Sequence, residues 1–134
     1  MYAQIFTILN AHEGYRDAVG LDEFDMVKFY RADRVPQGTA RPYSTMSLVS
    51  RVEDQNKEER GMYRVSIQID HFGNEFSMVE VIDSQCFLAL NRYSGTVEGM
   101  EILSIRGSGA MDGFNRDQEA DYLTSEFTIL INPN

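Results

Sequence analysis

The 134-residue sequence predicts one α+β domain over residues 1–134, in which a mostly antiparallel four-stranded sheet is packed by one main helix. Two observations predict this class. One apolar stripe with helical spacing stands in the middle of the chain, and strand-like segments stand in pairs before and after it. Paired strands that alternate with helices are typical of α+β domains. An N-terminal helix and a short strand are expected before the first pair.

The first segment, Met1–Asn10, predicts a helix because its apolar residues recur on one helical face. A second helical piece, Tyr15–Val19, is expected to end at Gly20, since glycine commonly follows a helix end. Met26–Tyr30 is rich in residues that favour strands and predicts a short strand. The prolines and glycine of Ala32–Pro42 predict an irregular connector.

The first long hairpin is predicted from Tyr43–Val52 and Tyr63–Phe72, the second of which alternates apolar and polar residues. The segment between them, Glu53–Arg60, includes no apolar side chain. Polar connections between strands lie on the surface and often carry function. We therefore expect a charged tip that projects into solvent or toward a partner.

The main helix is predicted over Asn74–Tyr93, with Asn74 as the N-cap and Gly95 after its end. Its apolar stripe comprises Met78, Val79, Ile82, Cys86, Leu90 and Tyr93. A second hairpin follows, with strands predicted at Val97–Arg106 and Ala120–Ile131 and a glycine-rich loop at Gly107–Phe114. The helix covers only one face of such a sheet, so we expect association between copies to cover the other face or the edges.

Charge excludes one class of function. The chain has 21 acidic and 12 basic residues, a formal net charge of -9, and no cluster of Lys and Arg. Such a protein repels nucleic acid and anionic membranes, so tight DNA binding is not expected. No apolar run approaches the roughly 20 residues of a membrane-spanning helix, and no leader segment is recognisable at the start. We expect a protein that is made and kept in a cytoplasm.

No residue pattern predicts catalysis, a metal or a cofactor. His12 and His71 are isolated from other metal-ligand types, and Cys86 lies on the apolar stripe, where it is expected to pack as a small hydrophobe. Gly107–Gly113 lacks the lysine and the following helix of a phosphate-binding loop. These residues are expected to be structural.

Acidic residues alternate at the start of the last strand, at Asp117, Glu119 and Asp121, and so share one face if the strand is regular. A solvated surface is the favoured interpretation of this row. An acidic wall that lines a pore is the functional one.

The order of elements, together with Pro36-Gln37-Gly38 and the following Pro42-Tyr43, resembles the tail-completion or tail-terminator family of tailed bacteriophages. The resemblance extends to the strand Tyr63–Asp70, to Val79–Ile82 in the main helix, and to Phe127–Ile131 in the last strand. It covers nearly the whole chain. Ser44, Thr45, Ser47 and Ser50 dilute the apolar row that family members often carry after the Pro-Tyr pair.

The resemblance implies a structural protein of the virion, located at the head-proximal end of the tail and assembled in the host cytoplasm. It implies a homohexameric ring that binds the last ring of tail-tube subunits, stops their polymerisation and joins the tail to the head–tail connector or stopper protein. Double-stranded DNA would pass through the ring without specific binding. No enzyme activity, cofactor or membrane is implied.

Two polar segments, Glu53–Arg60 and Ala110–Gln118, are the candidate partner-binding loops, because each is long and flanked by strong strands. The candidate residues are Glu53, Asp54, Lys57, Glu58, Glu59 and Arg60 in the first segment, and Met111, Asp112, Phe114 and Arg116 in the second. The candidate lumen residues are Asp117, Glu119 and Asp121.

Two alternatives remain open from the sequence. One is another head–tail completion protein or a tail-tube protein of the same fold. The other is a small dimeric α+β ligand-binding domain or enzyme, with a pocket lined by Tyr63, His71, Tyr93 and Tyr122.

Overall fold

The structure is a computed structural model that describes residues 1–53, 62–115 and 120–132. It contains three helices and six strands within these ranges. The helices are α1 (Tyr2–Ala11), α2 (Glu13–Val19) and α3 (Phe76–Leu90). The strands are β1 (Phe29–Arg31), β2 (Tyr43–Glu53), β3 (Tyr63–Gly73), β4 (Gly95–Val97), β5 (Met100–Asn115) and β6 (Ala120–Asn132).

The strands form one mixed, curled half-barrel sheet in the order β1-β2-β3-β6-β5-β4. All neighbours are antiparallel except β1 and β2, which are parallel. The predicted four-stranded sheet packed by one main helix is therefore wrong. Each of the two additional edge strands pairs over only three residues. A short strand was expected near β1, but its pairing with β2 is a long-range feature, and three residues at β4 do not establish a hydrophobic period.

The two long hairpins turn at opposite ends of the sheet. Glu53 pairs with Tyr63 where β2 and β3 meet, whereas Asn115 pairs with Ala120 where β5 and β6 meet. Strands β3 and β6 lie side by side, with Tyr63 opposite Ile131 and Gly73 opposite Asp121. At about 3.3 Å per residue, the two turning points are roughly 35–40 Å apart along the strands.

The core lies between one face of the sheet and the three helices. Alternate residues of β3 point to it, and they include Val65, Ile67, Ile69 and His71. Ile5 and Leu9 of α1, Tyr15 and Val19 of α2, and the stripe of α3 complete it. Val79, Ile82, Cys86 and Leu90 are fully buried, which confirms the predicted helical face.

The main helix is shorter than predicted at both ends. Its N-cap is Glu75, whose side chain makes no capping hydrogen bond, rather than the predicted Asn74. At the other end, Arg92 has φ 67° and its amide donates to the Ile105 carbonyl oxygen at 2.8 Å. The helix therefore ends at Leu90, three residues before Tyr93, because the chain joins the edge of the sheet there.

The predicted glycine-rich loop is part of strand β5. The segment 107–115 continues the ladder with β6, although the register shifts between Ser108 and Ala110. Gly107 is suited to this strand because a Cβ there would lie 2.5 Å from the Phe87 ring and 3.0 Å from the Phe127 ring.

The short strand lies at Phe29–Arg31 rather than at the predicted Met26–Tyr30. Within the described ranges no helix has the length and apolar character needed to cross a membrane.

Candidate assembly surfaces

The first candidate loop meets the described structure only at its start. Glu53 ends β2 opposite Tyr63. The other candidate residues of this loop, Asp54, Lys57, Glu58, Glu59 and Arg60, lie outside the described residues, as do Arg116, Asp117 and Glu119. Their assignment to a partner surface or a lumen stays a prediction.

The second candidate loop is largely a strand. Met111, Asp112 and Phe114 occupy ladder positions of β5, and they pair with Thr124, Leu123 and Asp121 of β6 in that order. The expectation that Ala110–Gln118 is a loop throughout is therefore wrong up to Asn115. These three residues therefore belong to strand β5, next to the edge strand β4, and not to a loop.

Asp121 alone of the three candidate lumen residues is described. It shares its face of β6 with Leu123 and Ser125, which are buried beneath the helices, and it is half-buried at the end of the strand. The face of the sheet opposite the helices, here called the open face, carries different acidic residues. These are Asp70 of β3 and Glu126 of β6. The alternation of β3 was the sequence signal that could have placed Asp70 there.

The open face of the sheet carries a row of aromatic rings across four strands. The rings are Tyr30, Tyr43, Phe72 and Tyr122, with successive centroids 6.4, 5.3 and 5.8 Å apart. Beside this row, Asp70 accepts a hydrogen bond from Thr124 at 2.5 Å and from the Gln68 amide at 3.2 Å. The α-helices all pack on the other face, so this face is available for contacts with other chains.

Both edges of the sheet are incompletely paired among the described residues. Strand β1 covers Ser44–Met46 of β2, so the ladder does not continue along Ser47–Glu53 on that side. On the other edge, strand β4 pairs with Met100–Ile102 of β5. Further along β5, the Gly107 amide donates to the Asn91 side chain at the end of α3, at 3.0 Å. Unpaired strand edges are ready templates for pairing with another chain.

A buried polar cluster connects α3 to the sheet. The Oγ of Ser44 lies 2.7 Å from Nδ1 of His71, and Nε2 of His71 lies 3.5 Å from Oδ1 of Asp83. The Ser125 hydroxyl donates to the same carboxylate. Burial raises the pKa of Asp83, but His71 and Ser125 lower it by more, so the net shift is downward.

This cluster has the residue types of a catalytic triad without the access that catalysis needs. Ser44 and His71 are fully buried, so no substrate reaches the hydroxyl. Burial also raises the pKa of the Cys86 thiol well above its usual value, which suppresses the thiolate. His12 caps α2, where its Nδ1 accepts from the Tyr15 amide at 3.1 Å. Within the described ranges no group of three potential metal ligands occurs.

The four residues considered for a ligand pocket lie apart. His71 is buried beneath α3, whereas Tyr122 joins the aromatic row on the open face. Tyr63 lies at the far end of β3, under the guanidinium of Arg51 at 4.5 Å from the ring centroid. Tyr93 follows α3 and lies against Gly95.

Two surface features were missed by the sequence analysis. One is an apolar groove lined by Met1, Tyr2, Met46 and Leu48, with Arg31 on its rim. The other is the turn 21–27, which presents Phe24 to solvent among acidic residues. The exposure of an aromatic or aliphatic residue in a strand or turn cannot be recognised from the sequence, because the same residue types usually indicate a core.

Comparison with known proteins finds a shared fold. No protein-family model and no curated protein matches the sequence. Among solved structures, a chain from the virion of a native gene transfer agent particle superposes with a TM-score of 0.73. The match covers 98% of this chain and 93% of that chain, at 14% sequence identity. The two chains therefore share a fold over nearly their whole lengths.

Proposed function

We propose that this protein is a structural component of a phage-like virion, and specifically a tail terminator. Six copies form a ring on the head-proximal end of the tail tube. The ring stops polymerisation of the tube protein and joins the tail to the head–tail connector or stopper protein. Double-stranded DNA passes through its hole, and no cofactor or catalytic step is required.

The arrangement of the hairpins supports this proposal most directly. A capping ring must meet the tube on one side and the connector on the other, and it must also bind its neighbours laterally. The turning point after Glu53 and the one after Asn115 lie at opposite ends of the sheet. The two sheet edges, along β2 and β5, supply lateral surfaces that differ from one another, as a head-to-tail ring requires.

The shared fold supports assignment to a virion. The similar chain belongs to the virion of a native gene transfer agent particle, and the similarity spans nearly all of both chains. Because a fold hosts many functions, the likeness supports the class of assembly more than the position within it. The tail-terminator position rests on the Pro36-Gln37-Gly38 and Pro42-Tyr43 resemblance.

Charge supports the passage of DNA. A chain with a net charge of -9 repels phosphates, so a hole lined by it would let a duplex slide without sticking. Asp70 and Glu126 on the open face are the described acidic residues that suit such a lining if that face turns inward.

The test is a tube-length assay. Purified protein is mixed with tail-tube subunits from the same particle, and tube lengths are measured by electron microscopy. We expect shorter tubes, each closed at one end by an additional ring. Tubes assembled from this chain alone would favour the tube-protein alternative. A dimer of about 31 kDa, twice 15.3 kDa, with no effect on tubes would favour the ligand-binding alternative.

A further inference from the structure

The turn 21–27 is built to present one aromatic side chain. Asp22 organises it, because its carboxylate accepts from the Phe24 amide at 2.8 Å and from the Met26 amide at 3.1 Å. The Asp22 amide donates to the Met26 carbonyl oxygen at 2.8 Å, and Leu21 bridges Val27. At the tip of this turn the Phe24 side chain is 73% exposed.

The turn is also fixed to the helices. The Asn10 side chain at the end of α1 accepts from the Val27 amide at 3.1 Å and from Arg16 of α2 at 2.9 Å. Arg16 further lies 3.6 Å from the Asp25 carboxylate. A side chain held on a rigid turn loses little conformational entropy on binding, which favours its use as an anchor. Glu23 and Asp25, which are both exposed, flank Phe24 in the turn and carry negative charge.

The apolar groove lies where the helix layer stops short of β2. The register places Leu48 opposite Ile67, on the helix side of the sheet, yet Leu48 is 59% exposed. Together with Met1, Tyr2 and Met46 it lines an open cavity of about 450 Å³. Cavities of this size accommodate an aromatic side chain with room for its flanking residues.

The rim of the groove is positive. Arg31 stacks over the Tyr2 ring at 5.4 Å from its centroid, and Arg51 stacks over Tyr63. Arg31 lines the groove beside Met1, and burial, followed by the charges of Arg31 and Arg51, lowers the pKa of the Met1 amine. Asp33 also lies on the rim, but its carboxylate is 3.9 Å from Arg34.

We propose that Phe24 of one copy docks into this groove of the next copy, with Glu23 and Asp25 facing Arg31. The occupant is a second copy because the chain carries both halves of a complementary pair, an acidic aromatic knob and a cationic apolar groove. The groove lies at the start of α1 and the turn at its end, roughly 15 Å away for a helix of ten residues.

This spacing leaves both features free at once, so each copy binds two neighbours through different surfaces. A heterologous contact of this kind generates a ring when the rotation closes. The inference rests on the proposed ring and names its contact.

The test uses two variants, one for each half of the contact. Phe24→Asp removes the knob and leaves the groove intact, whereas Leu48→Asp does the reverse. Self-association is measured by analytical ultracentrifugation up to about 1 mM protein, where even contacts with a Kd of about 1 mM are detected. Each variant alone should associate at least about 30-fold more weakly than the wild type, as for other anchor residues.

Mixing the two variants gives the decisive result. An equimolar mixture retains one intact knob and one intact groove, so it should form dimers that do not grow further. Leu88→Asp is the matched control, because Leu88 is 67% exposed on α3 and lies outside the contact; it should associate like the wild type. A wild type that stays monomeric at 1 mM, or a mixture that stays monomeric, overturns the proposal.

Cysteine cross-linking gives an independent measurement. The native Cys86 is fully buried, so a Phe24→Cys/Leu48→Cys variant offers two accessible thiols. Mild oxidation should produce a ladder of linked copies that disappears under reduction, whereas Phe24→Cys/Leu88→Cys should produce none. If Phe24→Asp abolishes self-association but the wild type does not cap tubes, the proposed contact exists and the proposed function fails. If Phe24→Asp leaves self-association intact while the wild type caps tubes, only the contact fails.

Discussion

His71 of β3 lies with Nε2 3.5 Å from Oδ1 of Asp83 in α3, so a buried electrostatic contact joins the main helix to the centre of the sheet. The same ring nitrogen makes no hydrogen bond within the described structure. Its other nitrogen contacts Ser44 of β2, and Asp83 also accepts from Ser125 of β6. One cluster therefore joins three neighbouring strands to the main helix.

The first prediction concerns acid. The pKa of Asp83 is below its usual value in the folded protein, so its contribution to stability is complete above the unfolded pKa and is lost as pH falls through the folded pKa. Asp83→Asn should lower the unfolding free energy at pH 7 by about 1–3 kcal/mol. Urea unfolding measured between pH 7 and pH 3 should show the difference from wild type shrinking below about pH 4.

Asp17→Asn on the exposed side of α2 is the control for this effect. It should change the unfolding free energy by no more than about 0.5 kcal/mol at pH 7. An Asp83→Asn protein with wild-type stability at pH 7 would show that the cluster is not stabilising.

The second prediction compares two leucines of one helix. Leu90 is fully buried, whereas Leu88 is 67% exposed. Leu90→Ala should lower the unfolding free energy by about 2–5 kcal/mol because it leaves a cavity. Leu88→Ala should lower it by less than about 0.5 kcal/mol. Equal losses in urea titration would contradict the observed orientation of α3.

The third prediction concerns the close packing of Gly73 on Val79. A Cβ at Gly73 would lie 2.7 Å from Cγ2 of Val79, so Gly73→Ala should cost about 1–3 kcal/mol through overpacking. Val79→Ala should relieve that clash. In a double-mutant cycle, the double variant should therefore be more stable than the sum of the single losses predicts, by about 0.5 kcal/mol or more. Strictly additive losses would show that the two residues are not in contact.

The fourth prediction concerns the connection between β2 and β3. Deleting Gln55–Glu58 should leave the thermal unfolding midpoint nearly unchanged, because the ladder from Tyr43 to Glu53 is retained. The same deletion should abolish tail capping or head joining in a complementation assay, since the segment is a candidate partner loop. Full complementation by the deleted protein would refute that assignment. The connection between β5 and β6 is only residues 116–119, so deleting four residues would remove it entirely. The double substitution Asp117→Ala/Glu119→Ala therefore serves as the comparison at that end of the sheet.

The main helix shows how far the sequence carried the prediction of the fold. Val79, Ile82, Cys86 and Leu90 recur at three- and four-residue steps, and this period placed them correctly in the core. The alternation of Tyr63–Phe72 likewise gave the correct buried face of β3. Periodicity succeeds in these elements because each is long and has one buried face.

The candidate site was harder to predict. Strand β5 continues through Gly107, where the glycine accommodates the Phe87 ring rather than a turn. Phe24 and Leu48 are of residue types that usually lie in a core, but both are exposed. Their exposure depends on where the helix layer ends and how a turn is held, and both are long-range features.

The sequence alone determined the presence and buried face of α3, the long antiparallel hairpins and the acidic charge. These follow from local period and composition, which are encoded within a few neighbouring residues. Only the tertiary structure decided that β1 runs parallel to β2, that β4 adds an opposite edge, and that the hairpins turn at opposite ends. It also decided that His71 contacts Asp83 beneath the main helix and that Leu48 is exposed. Those relationships join residues distant in the chain, because the free energy of packing is shared among elements and is not contained in any one of them.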